Sequence, residues 1–155
     1  MSATETANTT ETFKPIKRQR RGVWARLNLP ASHGKRLRSA IIRGFEVTTV
    51  DAIQKELDAT QPAILNVTGI SARTFNRRKQ EGRLSAEESD RIASIATVIS
   101  AAEALFEGDH DAARRWLTAP VKGLGGEVPL TLLKTEAGTR DVLNMIERLE
   151  HGVFS

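Results

Sequence analysis

Apolar residues recur three or four positions apart along most of the chain, the spacing that places side chains on one face of a helix. The four clearest stripes consist of Leu37, Ala40 and Ile41; Val50, Ile53 and Leu57; Ile92, Ile95, Ala96, Ile99, Ala102, Leu105 and Phe106; and Val142, Leu143, Ile146 and Leu149. The two-residue alternation of a half-buried strand is confined to isolated segments. The pattern therefore predicts an all-α fold.

Residues 61–83 combine two short helix signals with a turn between them. Pro62 suits the first turn of a helix, where its missing N–H would have no intrahelical partner. Gly69 can end that helix with a positive φ, and Ser71 is a good N-cap for a second helix that starts at about Ala72. Two short helices separated by a glycine-containing turn predict a helix-turn-helix.

The second helix of this unit presents a wide polar surface, because its one large apolar side chain, Phe75, is expected to face inward. In a major groove, arginine can donate two hydrogen bonds to guanine, asparagine can pair with adenine, and the remaining cations can neutralise phosphates. The alternative is a solvated amphipathic helix whose charges serve only solubility. The candidate DNA-binding residues are Ser71, Arg73, Thr74, Asn76, Arg77, Arg78 and Lys79.

The net charge of +4 conceals a strong asymmetry. Residues 1–43 contain ten Lys or Arg against two Glu, a net charge of +8, and the remainder has a net charge of −4. Five cations and one Glu nevertheless lie between residues 71 and 83. This distribution is typical of a protein with one end facing DNA and the other facing a protein partner.

Composition and helix signals together suggest three segments. We expect a disordered basic arm over residues 1–31, because this stretch is polar and lacks helical periodicity. A helix-turn-helix domain is expected over residues 32–107 and a small helical domain over residues 108–155.

The longest predicted helix follows Ser85. Ser85 as the N-cap and Glu88 three residues later form a capping box, worth on the order of 1 kcal/mol. The apolar stripe continues to about residue 107, longer than a small DNA-binding domain needs, so we expect this helix to connect the two halves. Farther on, three glycines lie between Pro120 and Pro129 without the strand or the Lys-Ser/Thr of a phosphate-binding loop, which favours a turn between helices.

Several classes of function find no support in the sequence. There is no cysteine, and His33, His110 and His151 lie far apart, so no metal site is predicted and the histidines are expected at the surface. The sequences of known hydrolase, metalloprotease and nucleotide-binding motifs are missing, so we predict neither an enzyme nor a bound cofactor. Nothing resembles a signal peptide or a membrane span, and we expect a cytoplasmic protein without membrane contact.

Five motifs occur in the order found in one protein family: GISARTFNRRK at 69–79, LSAEESDRI at 84–92, Trp116-Leu117 with Pro120, GLGGEVPLTLLKTEAG at 123–138 and RLEHGVF at 148–154. Over residues 49–155 the chain therefore resembles the Xre/ParS antitoxins, in which an Xre-type helix-turn-helix precedes a small helical toxin-binding domain. It departs from the usual helix-turn-helix pattern at Leu65, where Ala is common, and at Arg78, where an apolar residue is usual.

The resemblance implies an antitoxin that binds a toxin encoded beside it, often a RES-domain toxin that consumes NAD, and that represses its own promoter. It also implies that the C-terminal segment carries the toxin contacts, with candidates Arg148, Leu149, His151, Val153 and Phe154. Repressors of this kind read paired half-sites, so we expect a homodimer within a larger toxin–antitoxin complex. The alternatives are a stand-alone transcriptional regulator whose C-terminal half only dimerises, and an adaptor whose helix-turn-helix is inert.

Overall fold

The computed structural model describes residues 22–152 of the 155. Over that range the chain folds into helices, and its β-structure is limited to two isolated β-bridges. The helices are α1 (Val23–Arg26), α2 (Gly34–Arg43), α3 (Thr48–Leu57), α4 (Gln61–Thr68), α5 (Ala72–Glu81), α6 (Ala86–Leu105), α7 (His110–Thr118), α8 (Pro129–Leu132) and α9 (Glu136–Glu150). The all-α prediction is confirmed.

The helix α6 lies at the centre of the molecule rather than bridging two separate bodies. Its buried residues, which include Ile92, Ala96, Val98 and Ala102, occupy more than one face of the helix. It contacts α1, α2 and α4 on the N-terminal side and α7 and α9 on the C-terminal side. One continuous apolar core therefore includes residues of both halves.

The predicted capping box begins this helix. The Ser85 hydroxyl accepts a hydrogen bond from the Glu88 N–H at 3.1 Å, and the Ser85 N–H donates to the Glu88 carboxylate at 2.9 Å. These two bonds satisfy N–H groups that a helix start leaves without intrahelical partners. The helix ends at Leu105, slightly before the predicted limit near residue 107.

The helix-turn-helix has the predicted bounds. The Thr60 hydroxyl caps α4 by accepting from the Ala63 N–H, and Gly69 ends α4 with a φ of 71°. Ile70 turns into the core and is only 4% exposed. Because glycine tolerates this left-handed backbone at little cost, α4 can end at Gly69 and α5 can begin three residues later, with Ser71 as its N-cap.

The expectation of a disordered arm was wrong for residues 22–31. The first helix, α1, places Val23 and Leu27 in the core, each 1% exposed, where this segment packs on α6. A four-residue helix gives almost no periodic signal inside a basic run, and its burial depends on α6, which lies far along the sequence. Residues 1–21 of the expected arm lie outside the described residues.

The C-terminal half packs on α6 and contains two connections. Residues 119–128 form the glycine-containing loop between α7 and α8, and residues 133–135 connect α8 to α9. The glycine-containing loop is closed by an isolated bridge in which the Val121 N–H donates to the Glu127 carbonyl at 3.0 Å. It forms a turn between α7 and α8, as predicted. Thr135 caps α9 by accepting from the Gly138 N–H at 3.0 Å.

The loop after α8 also joins the C-terminal half to the helix-turn-helix. The Lys134 ammonium donates to the Asn66 side-chain oxygen at 3.3 Å, and the Arg91 guanidinium donates to the Lys134 carbonyl at 2.6 Å. These bonds reinforce the packing of α4 against α8. Within residues 22–152, no helix has both the length and the apolar character required to cross a membrane.

Candidate nucleic-acid interface and C-terminal cleft

The helix α5 has one apolar anchor and an open polar surface. Phe75 is 2% exposed, whereas Arg73, Asn76, Arg77 and Lys79 are exposed. Within residues 22–152, the side chains of Arg73 and Asn76 form no hydrogen bond or ion pair. These two residues therefore present unengaged donors of the kind that read base edges.

Arg77 and Lys79 are exposed but weakly tethered. Arg77 lies 3.7 Å from the Glu81 carboxylate, and both side chains are about half exposed, so this ion pair contributes little. The Lys79 ammonium lies over the Phe75 ring, 4.6 Å from its centroid. A contact of this kind holds the lysine stem against the helix while leaving its charge near solvent.

Ser71 and Thr74 are engaged at the start of α5. The Ser71 hydroxyl accepts from the Thr74 N–H at 3.1 Å and donates to the Thr74 hydroxyl at 3.0 Å. Both side chains thus take part in the helix cap, although each hydroxyl retains further acceptor capacity. Their predicted contribution to DNA binding stays a prediction.

Arg78 differs from the other predicted DNA-binding residues, because carboxylates within the protein already bind its side chain. Its guanidinium binds the Glu88 carboxylate on α6 and that of Glu81 on α5, and its side chain is only 18% exposed. The hydrogen bonds from Arg78 to Glu88, and then to Glu81, raise the pKa of Arg78 above its ordinary value. Three of its five N–H donors are therefore engaged within the protein, and those at Nε and Nη2 join α5 to α6.

A cleft of about 730 Å³ lies between the glycine-containing loop and the C-terminal part of α9. Asp141, Asn144, Glu147 and His151 are spaced three or four residues apart, which places them on one face of the terminal helix. The lining consists of Gly123, Leu124, Glu127, Leu132, Asp141, Asn144, Glu147, Arg148 and His151.

The cleft brings together two of the predicted toxin-binding residues, Arg148 and His151. Leu149 is half-buried and does not line it, whereas Val153 and Phe154 lie outside the described residues. Sequence reasoning missed the acidic side of the cleft. The signal was present as the polar stripe along α9, since Asp141, Asn144, Glu147, Arg148 and His151 recur at helical spacing.

The residues that line the cleft carry more negative than positive charge. Glu127, Asp141 and Glu147 are carboxylates, and Arg148 is the permanent cation among the lining residues. The Arg148 guanidinium contacts the Met145 sulfur at 3.5 Å and forms no ion pair with a described carboxylate. The cleft therefore combines an acidic rim with one available guanidinium, which suits a polar protein segment of mixed or positive charge.

A second polar cluster lies where α1, α3, α6 and α7 meet. The Arg26 guanidinium binds the carboxylates of Glu56 and Glu103, and the His110 ring lies 2.8 Å from Glu103. Burial lowers the pKa of Arg26, but hydrogen bonds and charge attraction from Glu56 and Glu103 outweigh it, so the net shift is upward. The expected surface position of His110 was wrong, because its side chain is only 17% exposed.

The ligand atoms of Glu56, Glu103 and His110 lie within 4.8 Å of one another, a donor set able to hold a metal ion. The Arg26 cation already binds both carboxylates in this arrangement. A divalent ion would have to displace a guanidinium from the same oxygens. The cluster therefore acts as an ion-pair junction between the two halves of the molecule.

Comparison with known proteins assigns both halves. The antitoxin Xre-like helix-turn-helix domain matches residues 36–96, and the antitoxin Xre/MbcA/ParS C-terminal toxin-binding domain matches residues 101–152. The antitoxin Xre of Yersinia enterocolitica is 44% identical over 136 residues, which cover 87% of this chain and 92% of that protein. This chain belongs to the Xre antitoxin family.

Two further relatives extend the comparison. The antitoxin Xre of Photorhabdus laumondii is 39% identical over 140 residues, covering 90% of this chain and 95% of that protein. A protein of Sphingobium sp. named as a Prs ADP-ribosylating antitoxin is 24% identical over 124 residues, covering 74% of this chain and 78% of that protein. This Xre-family chain is thus a type II antitoxin with a helix-turn-helix and a toxin-binding domain.

The two family domains divide within α6. The first ends at residue 96 and the second begins at residue 101, whereas α6 runs without interruption from Ala86 to Leu105. One helix therefore belongs to both parts of this Xre antitoxin, which agrees with its central position in the core.

Proposed function

We propose that this antitoxin neutralises a RES-type, NAD-consuming toxin by binding it at the C-terminal cleft and the segment that follows. The observation that carries the proposal is the meeting of Arg148 and His151 with the acidic rim of Glu127, Asp141 and Glu147 beside the end of α9. The chain continues from Gly152 into Val153 and Phe154, two apolar residues suited to an apolar pocket on a partner.

Two points support the class of toxin. Family resemblance favours a RES-domain partner. The Sphingobium relative bears the name of an ADP-ribosylating system, and ADP-ribosylation draws on NAD. If the acidic rim of the antitoxin's cleft lies at the entrance to the toxin's active site, it would also disfavour entry of the negatively charged dinucleotide by like-charge repulsion.

The test of this half begins with the reading frame beside the gene, which should encode a RES-domain protein. The purified toxin should form a stable complex with the full chain, and titration calorimetry should show a large loss of affinity for an Arg148→Ala, His151→Ala variant. Arg140→Ala is the matched control, because Arg140 lies on the same helix, is exposed and pairs only with exposed Glu136 among the described residues. Unchanged affinity in the cleft variant would contradict the proposal.

We further propose that α4 and α5 repress the antitoxin's own operon by docking α5 in the major groove. The supporting observation is the combination of a buried Phe75 with unengaged Arg73 and Asn76 on the opposite surface. The antitoxin is proposed to bind as a homodimer, since paired half-sites one helical turn apart are what two such helices read. No catalysis by the antitoxin is required for either activity.

The DNA-binding half is tested with the DNA upstream of the operon. Wild-type protein should bind this duplex more tightly than unrelated DNA, and the affinity should fall steeply with salt. An Arg73→Ala, Asn76→Ala variant should lose the preference for the upstream sequence, because each bidentate base contact is worth about 1–3 kcal/mol of discrimination. Equal binding of both duplexes by wild-type protein would exclude operator recognition.

A further inference from the structure

The helix α2 is a strongly basic element that the predicted DNA-binding residues do not include. Its sequence, GKRLRSAIIR, contains Lys35, Arg36, Arg38 and Arg43 and no acidic residue. All four cationic residues are exposed, while Ala40 is buried and Leu37 and Ile41 are half-buried. The helix therefore packs through one apolar side and presents its charge on the outer side.

These four cations lack the carboxylate partners that five of the ten other arginines in the described residues possess. Arg26, Arg77, Arg78, Arg114 and Arg140 each form an ion pair. Within residues 22–152, none of the four cations on α2 forms an ion pair or a side-chain hydrogen bond. The outer face is also open, since Ile42 between them is 77% exposed.

The segment that follows α2 is joined by backbone contacts to the segment that follows α5. An isolated bridge pairs Glu46 with Arg83, and the Leu84 N–H donates to the Phe45 carbonyl at 2.9 Å. The Arg83 guanidinium also donates to the Gly44 carbonyl at 2.9 Å. The positive charge at the end of α2 therefore continues, through Arg83, to the end of the proposed recognition helix.

The dimensions of α2 suit a nucleic-acid backbone. Its 10 residues span about 15 Å along the helix axis at about 1.5 Å per residue. Each strand of duplex DNA carries one phosphate per roughly 3.4 Å of axis, so the helix covers the length of about four phosphates. Arg and Lys without internal partners are the side chains that bind phosphate oxygens most often.

We propose that α2 is a second DNA-contacting element, whose Lys35, Arg36, Arg38 and Arg43 bind phosphates beside the segment that α5 reads. The inference rests on the proposed DNA binding by α5, but it concerns affinity rather than sequence preference. Phosphate contacts hold the protein in register without distinguishing bases. The element thereby supplies a large share of the electrostatic attraction that α5, with its few unpaired cations, does not supply alone.

The test compares an Arg36→Gln, Arg38→Gln, Arg43→Gln variant with wild type on the upstream duplex and on an unrelated duplex. Fluorescence anisotropy at several salt concentrations gives the affinity and its salt dependence for each duplex. Because each lost phosphate contact changes the slope of log K against log salt by about 0.9, the triple variant should lose roughly 2–3 from the slope and about 100-fold in affinity near 0.15 M salt for each subunit bound. The ratio between the two duplexes should stay unchanged.

The matched control is a Lys55→Gln, Arg115→Gln, Lys122→Gln variant, which removes the same charge from exposed residues without ion-pair partners among the described residues. It should retain more than a third of the wild-type affinity and the wild-type slope. Far-ultraviolet circular dichroism and thermal unfolding check that both variants fold.

The outcomes separate the two proposals. Equal losses in the α2 variant and the control variant would overturn the inference, because net charge alone would then explain the effect. Unchanged affinity in the α2 variant would overturn it as well and point to another role for this face, such as an acidic protein partner. If the wild-type protein shows no preference for the upstream duplex, only the proposal of operator recognition by α5 is contradicted. The salt slope on either duplex would still test phosphate binding by α2. Absence of binding to any duplex would contradict both.

Discussion

Arg78 on α5 and Glu88 on α6 form a bidentate ion pair, in which the distances from Nε to Oε2 and from Nη2 to Oε1 are each 3.0 Å. The same Glu88 carboxylate accepts from the Ser85 N–H and completes the capping box. One side chain thus fixes the start of α6 and attaches α5 to it. The orientation of the proposed recognition helix depends on this pair as well as on Phe75.

Replacing Glu88 with Gln should destabilise the fold and remove part of its dependence on pH. Burial raises the pKa of Glu88, but the hydrogen bonds from Arg78 and Ser85 outweigh it and hold the pKa below the ordinary 4.5. The unfolded state therefore takes up this proton first as the pH falls, so the stabilisation is complete well above pH 4.5 and is lost below it. Urea unfolding at neutral pH should give a loss of about 1–3 kcal/mol, typical of hydrogen bonds to charged groups.

Glu87→Gln is the control for this prediction, because Glu87 is the exposed neighbour in the same helical turn and the charge change is identical. It should change the free energy of unfolding by a few tenths of a kcal/mol. The difference between wild type and Glu88→Gln should shrink as the pH falls below 4.5. A difference that stays constant down to pH 3 would show that the ion pair is not its source.

Substitution by Gln should affect DNA binding at Arg73 and the stability of the fold at Arg78. Arg73→Gln should weaken binding to the upstream duplex while leaving thermal stability unchanged, because its side chain has no described partner to lose. Arg78→Gln should lower the free energy of unfolding by about 1–3 kcal/mol, since it leaves Glu88 without its cation. Paired measurements of anisotropy and thermal unfolding on both variants check this, and an unchanged unfolding midpoint in Arg78→Gln would contradict it.

Gly138 should not tolerate a side chain. A Cβ at this position would overlap the Leu132 carbonyl, which is backbone and therefore cannot move aside without disturbing α8. We expect Gly138→Ala to lower stability by about 2 kcal/mol or more, in the range of overpacked sites. Gly22→Ala is the control, because no described atom lies within 4 Å of its Cβ. Chemical denaturation of both variants makes the comparison, and equal midpoints would contradict the predicted overlap.

Arg26→Met should weaken the junction between the two halves. The change leaves the carboxylates of Glu56 and Glu103, which are 10% and 14% exposed, close together without their shared cation. Breaking partly buried pairs of this kind costs about 2–4 kcal/mol. Arg115→Met, at an exposed position on α7, serves as the control. If both variants unfold at the same urea concentration as wild type, the junction contributes nothing to stability.

The sequence predicts the helix-turn-helix closely because its limits are set by local chemistry. Pro62 fixes φ in the first turn of α4, Gly69 tolerates the positive φ that ends α4, and Ser71 caps α5. Ser85 and Glu88 likewise form their capping box within one turn. The departure at Arg78 from the usual apolar residue also becomes clear only in the fold. Glu88, ten residues farther along, supplies the charge that allows a half-buried guanidinium there.

Contacts between distant segments were not predictable in the same way. Arg26 meets Glu103 across 77 positions, and no pattern near either residue specifies that pair. His110 reaches the same junction because α7 folds back on α6. The cleft depends likewise on the closure of the glycine-containing loop against α9, although the polar stripe on α9 was visible in the sequence.

The central claim is that the C-terminal half neutralises a toxin, and growth of a bacterial culture tests it most directly. The RES-domain protein encoded beside the gene is induced alone, with the full chain, or with a chain ending at Gly152. We predict arrested growth for the toxin alone, normal growth with the full chain, and arrest again when Val153, Phe154 and Ser155 are missing. A toxin that stays lethal beside soluble full-length protein would contradict neutralisation, and full rescue by the shortened chain would contradict the role of the C-terminal segment.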